Sequence, residues 1–308
     1  MPRITIRRGG YTAVILPERG ANCINLFHEE SGAHILRTFD GEKPGNPFLY
    51  GMPILFPPNR IKGGRFTFDS REYALPVNET KTGCFLHGVL HETPFEVTEF
   101  DESSVTLAYR ATTDAPYLTY PHEFTLSICY SLDENGLTQT VKITNDSSLT
   151  MPVGLAYHTT FNIPFASRSE WSDIVMTLPC GEEYDRDMTD YTMTWKTVDD
   201  PTFHKAIADG IVPGEHTISR HFSRPTGAAL RLFDKRSGYT VVYNASDNFK
   251  YWMVFNGGAK DYICVEPQTW INCAPHAPKE MGDVGIISLF PGKTETLVTR
   301  ICVEKNSG

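Results

Sequence analysis

The segment from Glu123 to Thr144 constrains the fold more than any other. In its first half Phe124, Leu126, Ile128, Tyr130 and Leu132 alternate with Thr125, Ser127, Cys129 and Ser131. Successive side chains of a strand leave on opposite faces, so a period of two describes a strand with one buried and one wetted face. In the second half Val141 and Ile143 share one face, and Thr140, Lys142 and Thr144 share the other. Between them lies Asp133-Glu134-Asn135-Gly136, whose Asn-Gly pair tolerates the positive φ of a tight hairpin turn. An antiparallel hairpin is expected, and its apolar face requires a second layer to cover it.

The same alternation recurs in Val105-Leu107-Tyr109, in Leu230 to Phe233, in Thr240 to Tyr243 and in Thr296 to Val303. A turn-like Asp234-Lys235-Arg236-Ser237-Gly238 separates the second and third of these. Helical periodicity is scarce. One short helix is expected around Lys205 to Asp209, and Trp171 to Ser223 reads as an elaborated loop region. The 24 glycines and 21 prolines punctuate strands and form no linker. Short strands with turn chemistry between them predict an all-β chain, a sandwich or barrel of antiparallel sheets. At 308 residues such an architecture is expected to form a single domain over 1–308.

A net charge of −9 and a sequence pI near 5.6, with no basic cluster, argue against nucleic acid or an anionic membrane as partner. A small molecule is the expected partner. The seven cysteines follow no framework spacing and read as reduced, buried thiols. The N-terminal residues lack the apolar core of a signal peptide, and no run approaches the roughly 18 apolar residues of a membrane span. A cytoplasmic protein is expected, so Asn78, Asn145 and Asn244 in N-x-[ST] context carry no weight as glycosylation sites.

Four polar residues stand in contexts that look chosen. Glu266 lies within Tyr262-Ile263-Cys264-Val265-Glu266-Pro267-Gln268, a strand-like run where a carboxylate is poorly solvated. It is the candidate catalytic base, with a buried salt bridge as the plainer alternative. Arg60 follows the apolar, Pro-rich stretch Gly51 to Asn59, and on local sequence alone an ordinary surface arginine is the favoured reading. His87 in Phe85-Leu86-His87-Gly88-Val89 and His158 in Ala156-Tyr157-His158-Thr159 are, on local grounds, more readily hydrogen-bonded core residues than catalysts. Gly88 permits close backbone approach beside His87.

Taken together and in order, these contexts resemble the aldose 1-epimerase family, the galactose-mutarotase-like proteins. The resemblance runs through Asn59-Arg60-Ile61, Gly64-Arg65-Phe66, Leu75, Asn78 and His87-Gly88. It continues through Tyr120-Pro121-x-x-Phe124, Asn145, Pro152, His158-x-x-Phe161-Asn162, Cys264-Val265-Glu266-Pro267 and Pro291-Gly292-Lys293. It implies a large antiparallel β-supersandwich with a shallow cleft for a monosaccharide and no cofactor; no metal is expected, and a monomer or homodimer is. It further implies Glu266 as base, His158 as acid, His87 as a second histidine that polarises the ring oxygen, and Arg60, with Asn59 beside it, as a binder of sugar hydroxyls. Interconverting anomers needs a proton removed from O1–H and one supplied to the ring oxygen, which a carboxylate and an imidazolium provide. Mutual attraction and burial push their pKa values in opposite directions, so the net shifts are not legible in the sequence. Tyr157 and Trp270 are candidates for stacking on a sugar, with core packing as the alternative.

One position departs from the family. Galactose-type members carry an Asp-His-x-Phe segment, and the nearest match is Ser219-Arg220-His221-Phe222-Ser223. Arginine offers donors only, so either Arg220 points to solvent or the protein accepts a phosphorylated or acidic sugar. Hexose-6-phosphate 1-epimerase is therefore an alternative to a neutral-sugar mutarotase, as is a non-catalytic carbohydrate-binding or sensor protein of the same fold. A glycoside-processing enzyme would need a second carboxylate beside Glu266, such as Asp261 or Asp247. His87-x-x-x-His91 and the loose Cys264, Cys273, His276 grouping are poor metal patterns.

Overall fold

In the computed structural model, which describes residues 2–39 and 44–306, the hairpin lies at the centre of an eight-stranded antiparallel sheet. The strands follow in space as Glu96–Phe100, Ser104–Ala111, Phe124–Asp133, Gly136–Asn145, Thr294–Lys305, Tyr239–Ala245, Leu230–Asp234 and Ile174–Thr177. Every apolar position of the alternating run from Phe124 to Leu132 is buried. The turn differs in detail from the expectation. Asp133 pairs with Gly136, so the loop is Glu134-Asn135, and positive φ falls on Gly136 at 121° while Asn135 keeps negative φ. The Asp133 carboxylate accepts from the Asn135 N–H at 2.7 Å. Glycine at 136 also lets the last strand approach, since a Cβ there would sit 2.2 Å from the Ile301 carbonyl oxygen.

A second large sheet positions the site. Its strands follow as Met193–Val198, Glu183–Arg186, Ser219–Ser223, Tyr251–Phe255, Tyr262–Gln268, Ala156–Tyr157 and Ile54–Leu55, and Thr160–Asn162 also pairs with Tyr262–Gln268. Tyr262–Gln268 is buried at every position, as befits a central strand covered on both faces. An N-terminal sheet of Ile4–Arg8, Tyr11–Leu16, Asn22–His28 and Ala33–His34 completes the larger layers. A continuous apolar core joins Ile6 at one end of the chain to Ile301 at the other. The all-β, antiparallel expectation holds.

The helix spans Pro201–Asp209, longer than the expected Lys205 to Asp209. Asp200 caps it by accepting from the Phe203 N–H at 3.1 Å, and Pro201 opens it where a missing N–H does no harm. The segment Trp171 to Ser223, expected to be loop, instead supplies four strands, three of them in the second sheet. They are short, two are edge-proximal, and they lack clean alternation, which hid them. All seven cysteines are free, and Cys129, Cys180 and Cys302 are only half-buried.

Candidate active site

A concave cleft of about 380 Å³ opens over one face of the second sheet. Strand periodicity decides which residues reach it. Glu266 pairs with Met253, and Met253 with His221. On the other side, the pairs Ala156 with Gln268 and Thr160 with Cys264 bracket His158 opposite Glu266. His158, Glu266, Met253 and His221 thus form one row across neighbouring strands, and all four line the cleft.

Glu266 is 2 % exposed, and its Oε1 lies 3.2 Å from His158 Nε2. Its Oε2 accepts from Gln268 Nε2 at 3.1 Å, and Gln268 Oε1 accepts from Asn59 Nδ2 at 2.6 Å. This Asn59–Gln268–Glu266 relay fixes the carboxyl plane. Burial pushes the Glu266 pKa up to about 8, against the pull of Gln268 and of the Arg186 charge. Burial likewise takes His158 down to about 4. Both groups are driven toward neutrality, so between these values the pair holds one proton.

His87 and Asn59 are held in the left-handed region, at φ 61° and 59°. The two residues bond each other: the His87 N–H donates to the Asn59 carbonyl at 3.1 Å, and the Asn59 N–H donates to the His87 side chain at Nδ1, 3.2 Å away. Nδ1 therefore accepts, and the proton of the neutral ring sits on Nε2. Burial, with the His158 charge next, holds His87 well below the usual histidine range. Gly88, at φ +68°, leaves room where a Cβ would meet the Phe56 carbonyl oxygen at 1.9 Å. Phe48 covers the histidines, its ring centroid 4.8 Å from His87 and 5.9 Å from His158.

Arg60 lines the cleft, but its guanidinium is clamped by both oxygens of Glu79, each at 2.7 Å, and lies 4.9 Å from the Tyr191 ring centre. Its backbone N–H donates to Asn272 Oδ1 at 3.0 Å.

Three expected binding residues do not reach the cleft, two of them because strand alternation turns them away. Tyr157 precedes His158 and so points into the core, 1 % exposed, near Tyr130 and Tyr243. Arg220 lies between Ser219 and His221, both of which line the cleft. Its guanidinium is tied to Glu183 at 2.8 Å and Asp200 at 3.0 Å and packs 3.8 Å over the Phe203 ring, so it is neither a cleft residue nor loose in solvent. Trp270 is fully buried against Gly154 and donates its Nε1–H to the Pro58 carbonyl at 3.0 Å. It braces the loop that carries Asn59.

Sequence reasoning missed Gln268, Glu79, Phe48, Asn272 and Arg186. Gln268 was within reach, because a residue two positions from Glu266 shares its face. Arg186 belongs to the segment mistaken for loop. Burial, followed by the Arg60 charge, lowers the Arg186 pKa, while Glu266 and Glu183 oppose this. Among the described residues, no group of three or more His, Cys, Asp or Glu has the arrangement of a metal site. Glu266 is the sole acidic residue lining the cleft among the described residues.

The layered antiparallel sheets define a galactose-mutarotase-like architecture. A galactose mutarotase-like protein from Clostridium acetobutylicum superposes with a TM-score of 0.93 at 29 % identity, covering 99 % of this chain and 95 % of that one. The chain belongs to the aldose 1-epimerase family, whose profile matches residues 2–302. Two uncharacterized Escherichia coli K12 proteins are also similar. YihR is 27 % identical over 183 residues, 59 % of this chain and 56 % of that protein's length. YphB is 23 % identical over 263 residues, 82 % of this chain and 83 % of that one. Family and fold support a carbohydrate epimerase or mutarotase role. No helix among the described residues is long and apolar enough to cross a membrane.

Proposed function

We propose that the protein is an aldose mutarotase in which Glu266 and His158 exchange protons with the sugar. The observation that carries this reading is the 3.2 Å approach of the two groups at the wall of a monosaccharide-sized cleft. Moving the shared proton from Glu266 to His158 makes a carboxylate and an imidazolium. The carboxylate then takes the proton of O1–H while the imidazolium gives one to the ring oxygen. The C1–O bond to the ring oxygen breaks as the C1–O1 bond becomes a carbonyl. Rotation about C1–C2 followed by the reverse transfers closes the ring on the other face and restores the pair. His87, neutral and with Nδ1 occupied, offers Nε2–H to the ring oxygen. Arg60 and Asn59 face sugar hydroxyls in this reading.

A glycosidase mechanism fits poorly. It needs a second carboxylate about 5 to 9.5 Å from the first. Asp261 is paired with Arg37 at 2.8 Å, Asp247 is exposed beside Arg224, and neither lines the cleft.

Polarimetry on freshly dissolved α-D-glucose and α-D-galactose tests the proposal. A saturable acceleration of the optical change, with no new product by mass, is expected. Release of a different sugar from a glycoside, or tight binding without acceleration, would replace it with the glycosidase or the sensor reading.

A further inference from the structure

Arg186 stands apart from the other arginines of this region. Arg60 is neutralised by Glu79, and Arg220 by Glu183 and Asp200. Arg186 also lines the cleft, half-buried, yet no acidic side chain among the described residues forms an ion pair with it. Its Nη2 donates to the carbonyl oxygen of Ser219 and, at 2.9 Å, to the Ser219 hydroxyl. These two bonds orient the guanidinium without giving it a paired carboxylate, Glu266 and Glu183 acting on it only at a distance. Among the described residues, no acceptor takes the Nε and Nη1 donors.

Its place in the sheet matters as much. Glu183–Arg186 is three strands removed from Tyr262–Gln268, a backbone separation of roughly 14 Å at the usual strand spacing. The guanidinium is anchored on Ser219, on the far strands of the cleft, and its charge is still felt at Glu266. Between the two ends of the cleft lie Met253 and Phe255, which offer no hydrogen bond, and His221, whose Nε2 has no partner among the described residues. A half-buried guanidinium with spare donors at a fixed orientation matches a planar or tetrahedral oxyanion, which takes two of its N–H groups at once.

We infer that Arg186 is a specificity residue, and that the preferred substrate is an aldose carrying an oxyanion substituent, a carboxylate or a phosphate ester, remote from C1. This rests on the mutarotase reading of the cleft and names the substrate class within it. The anionic preference that the Arg220 position suggested in the sequence is thereby assigned to a different arginine.

The test compares D-glucuronate, D-glucose 6-phosphate and D-glucose with the full-length protein, measuring binding by calorimetry and anomer exchange by NMR. At least one anionic sugar should bind tenfold or more tighter than glucose, with a preference that weakens as salt rises. The better of the two anions tells carboxylate from phosphate. Arg186→Met should erase the preference, and Arg186→Lys should retain part of it. Equal or tighter binding of glucose overturns the inference, and that comparison needs no variant. So does an anionic preference that survives in Arg186→Met. Arg186-dependent binding of an anionic sugar without exchange would remove the mutarotase reading and keep this one. Exchange of glucose with no anionic preference would do the reverse.

Discussion

Glu266 Oε1 and His158 Nε2 lie 3.2 Å apart because the two residues oppose each other across neighbouring extended segments of one sheet. Burial drives the carboxyl up to about 8 and the imidazole down to about 4. The couple therefore keeps a single proton between those limits, which is what acid and base roles played by two neighbours require.

This fixes the pH profile of activity. Below the lower limit both groups are protonated and no base remains, and above the upper limit no acid remains. A bell-shaped kcat/KM is expected, with limbs near 4 and near 8. Anomer-exchange rates across buffers would check it, and a profile that stays flat through the alkaline limb would contradict it.

Stability should carry the same signature. The Glu266 pKa is raised on folding, so as pH climbs from the ordinary carboxyl value of 4.5 toward about 8 the unfolded chain ionises while the folded one holds its proton. Stability falls across that window and levels off above it. His158 acts in the opposite sense: its pKa is depressed from 6.5 to about 4, so its contribution is lost as pH falls through that range. Glu266→Gln should remove the alkaline decline and make the variant more stable than the native protein by up to about 5 kcal/mol near pH 9. Urea denaturation at acid, neutral and alkaline pH reads this directly, and parallel slopes in the two proteins would argue against a buried, protonated Glu266.

Gln268 is expected to set where the alkaline limb falls. Its hydrogen bond to Oε2 favours the ionised carboxyl, and it is itself held by Asn59. Gln268→Leu should raise the Glu266 pKa further, moving the alkaline limb up by about one pH unit, since hydrogen bonds to charged groups contribute ~1.5–3 kcal/mol. A limb that stays in place would separate Gln268 from the catalytic couple.

Gly88→Ala should be costly. Residue 88 sits at φ +68°, and an added Cβ would lie 1.9 Å from the Phe56 carbonyl oxygen. Backbone strain and displacement together should destabilise by about 3 kcal/mol or more, with loss of the His87 position. Chemical denaturation gives the first quantity. A variant with native stability would show that this turn is not the rigid seat of His87.

Much of this fold could be read from alternation alone, because in the sheet centred on Phe124–Asp133 one face meets the core and the other meets water. The second sheet was harder. Its strands between Glu183 and Ser223 are short, and their cleft face mixes Arg186, Ser219 and His221 with apolar residues, so no period of two stands out. Arg186 was invisible for that reason. Glu266 announced itself as a charge inside an apolar run, and the structure brings it together with His158, His87 and Arg60. Tyr157 was chosen as the sequence neighbour of His158, and Arg220 because it stands at the family's aspartate position; strand alternation turns both away from the cleft face. Glu79, which decides how Arg60 is held, lies 19 residues away and has no local mark.

The most direct test of the catalytic couple is NMR saturation transfer between anomers of the best-bound sugar, comparing the native protein with Glu266→Gln and His158→Asn. Exchange well above the buffer rate in the native protein, falling by ~100-fold or more in each variant while binding persists, is predicted. Native-level exchange in either variant would contradict the assignment of Glu266 and His158 as the proton-transferring pair.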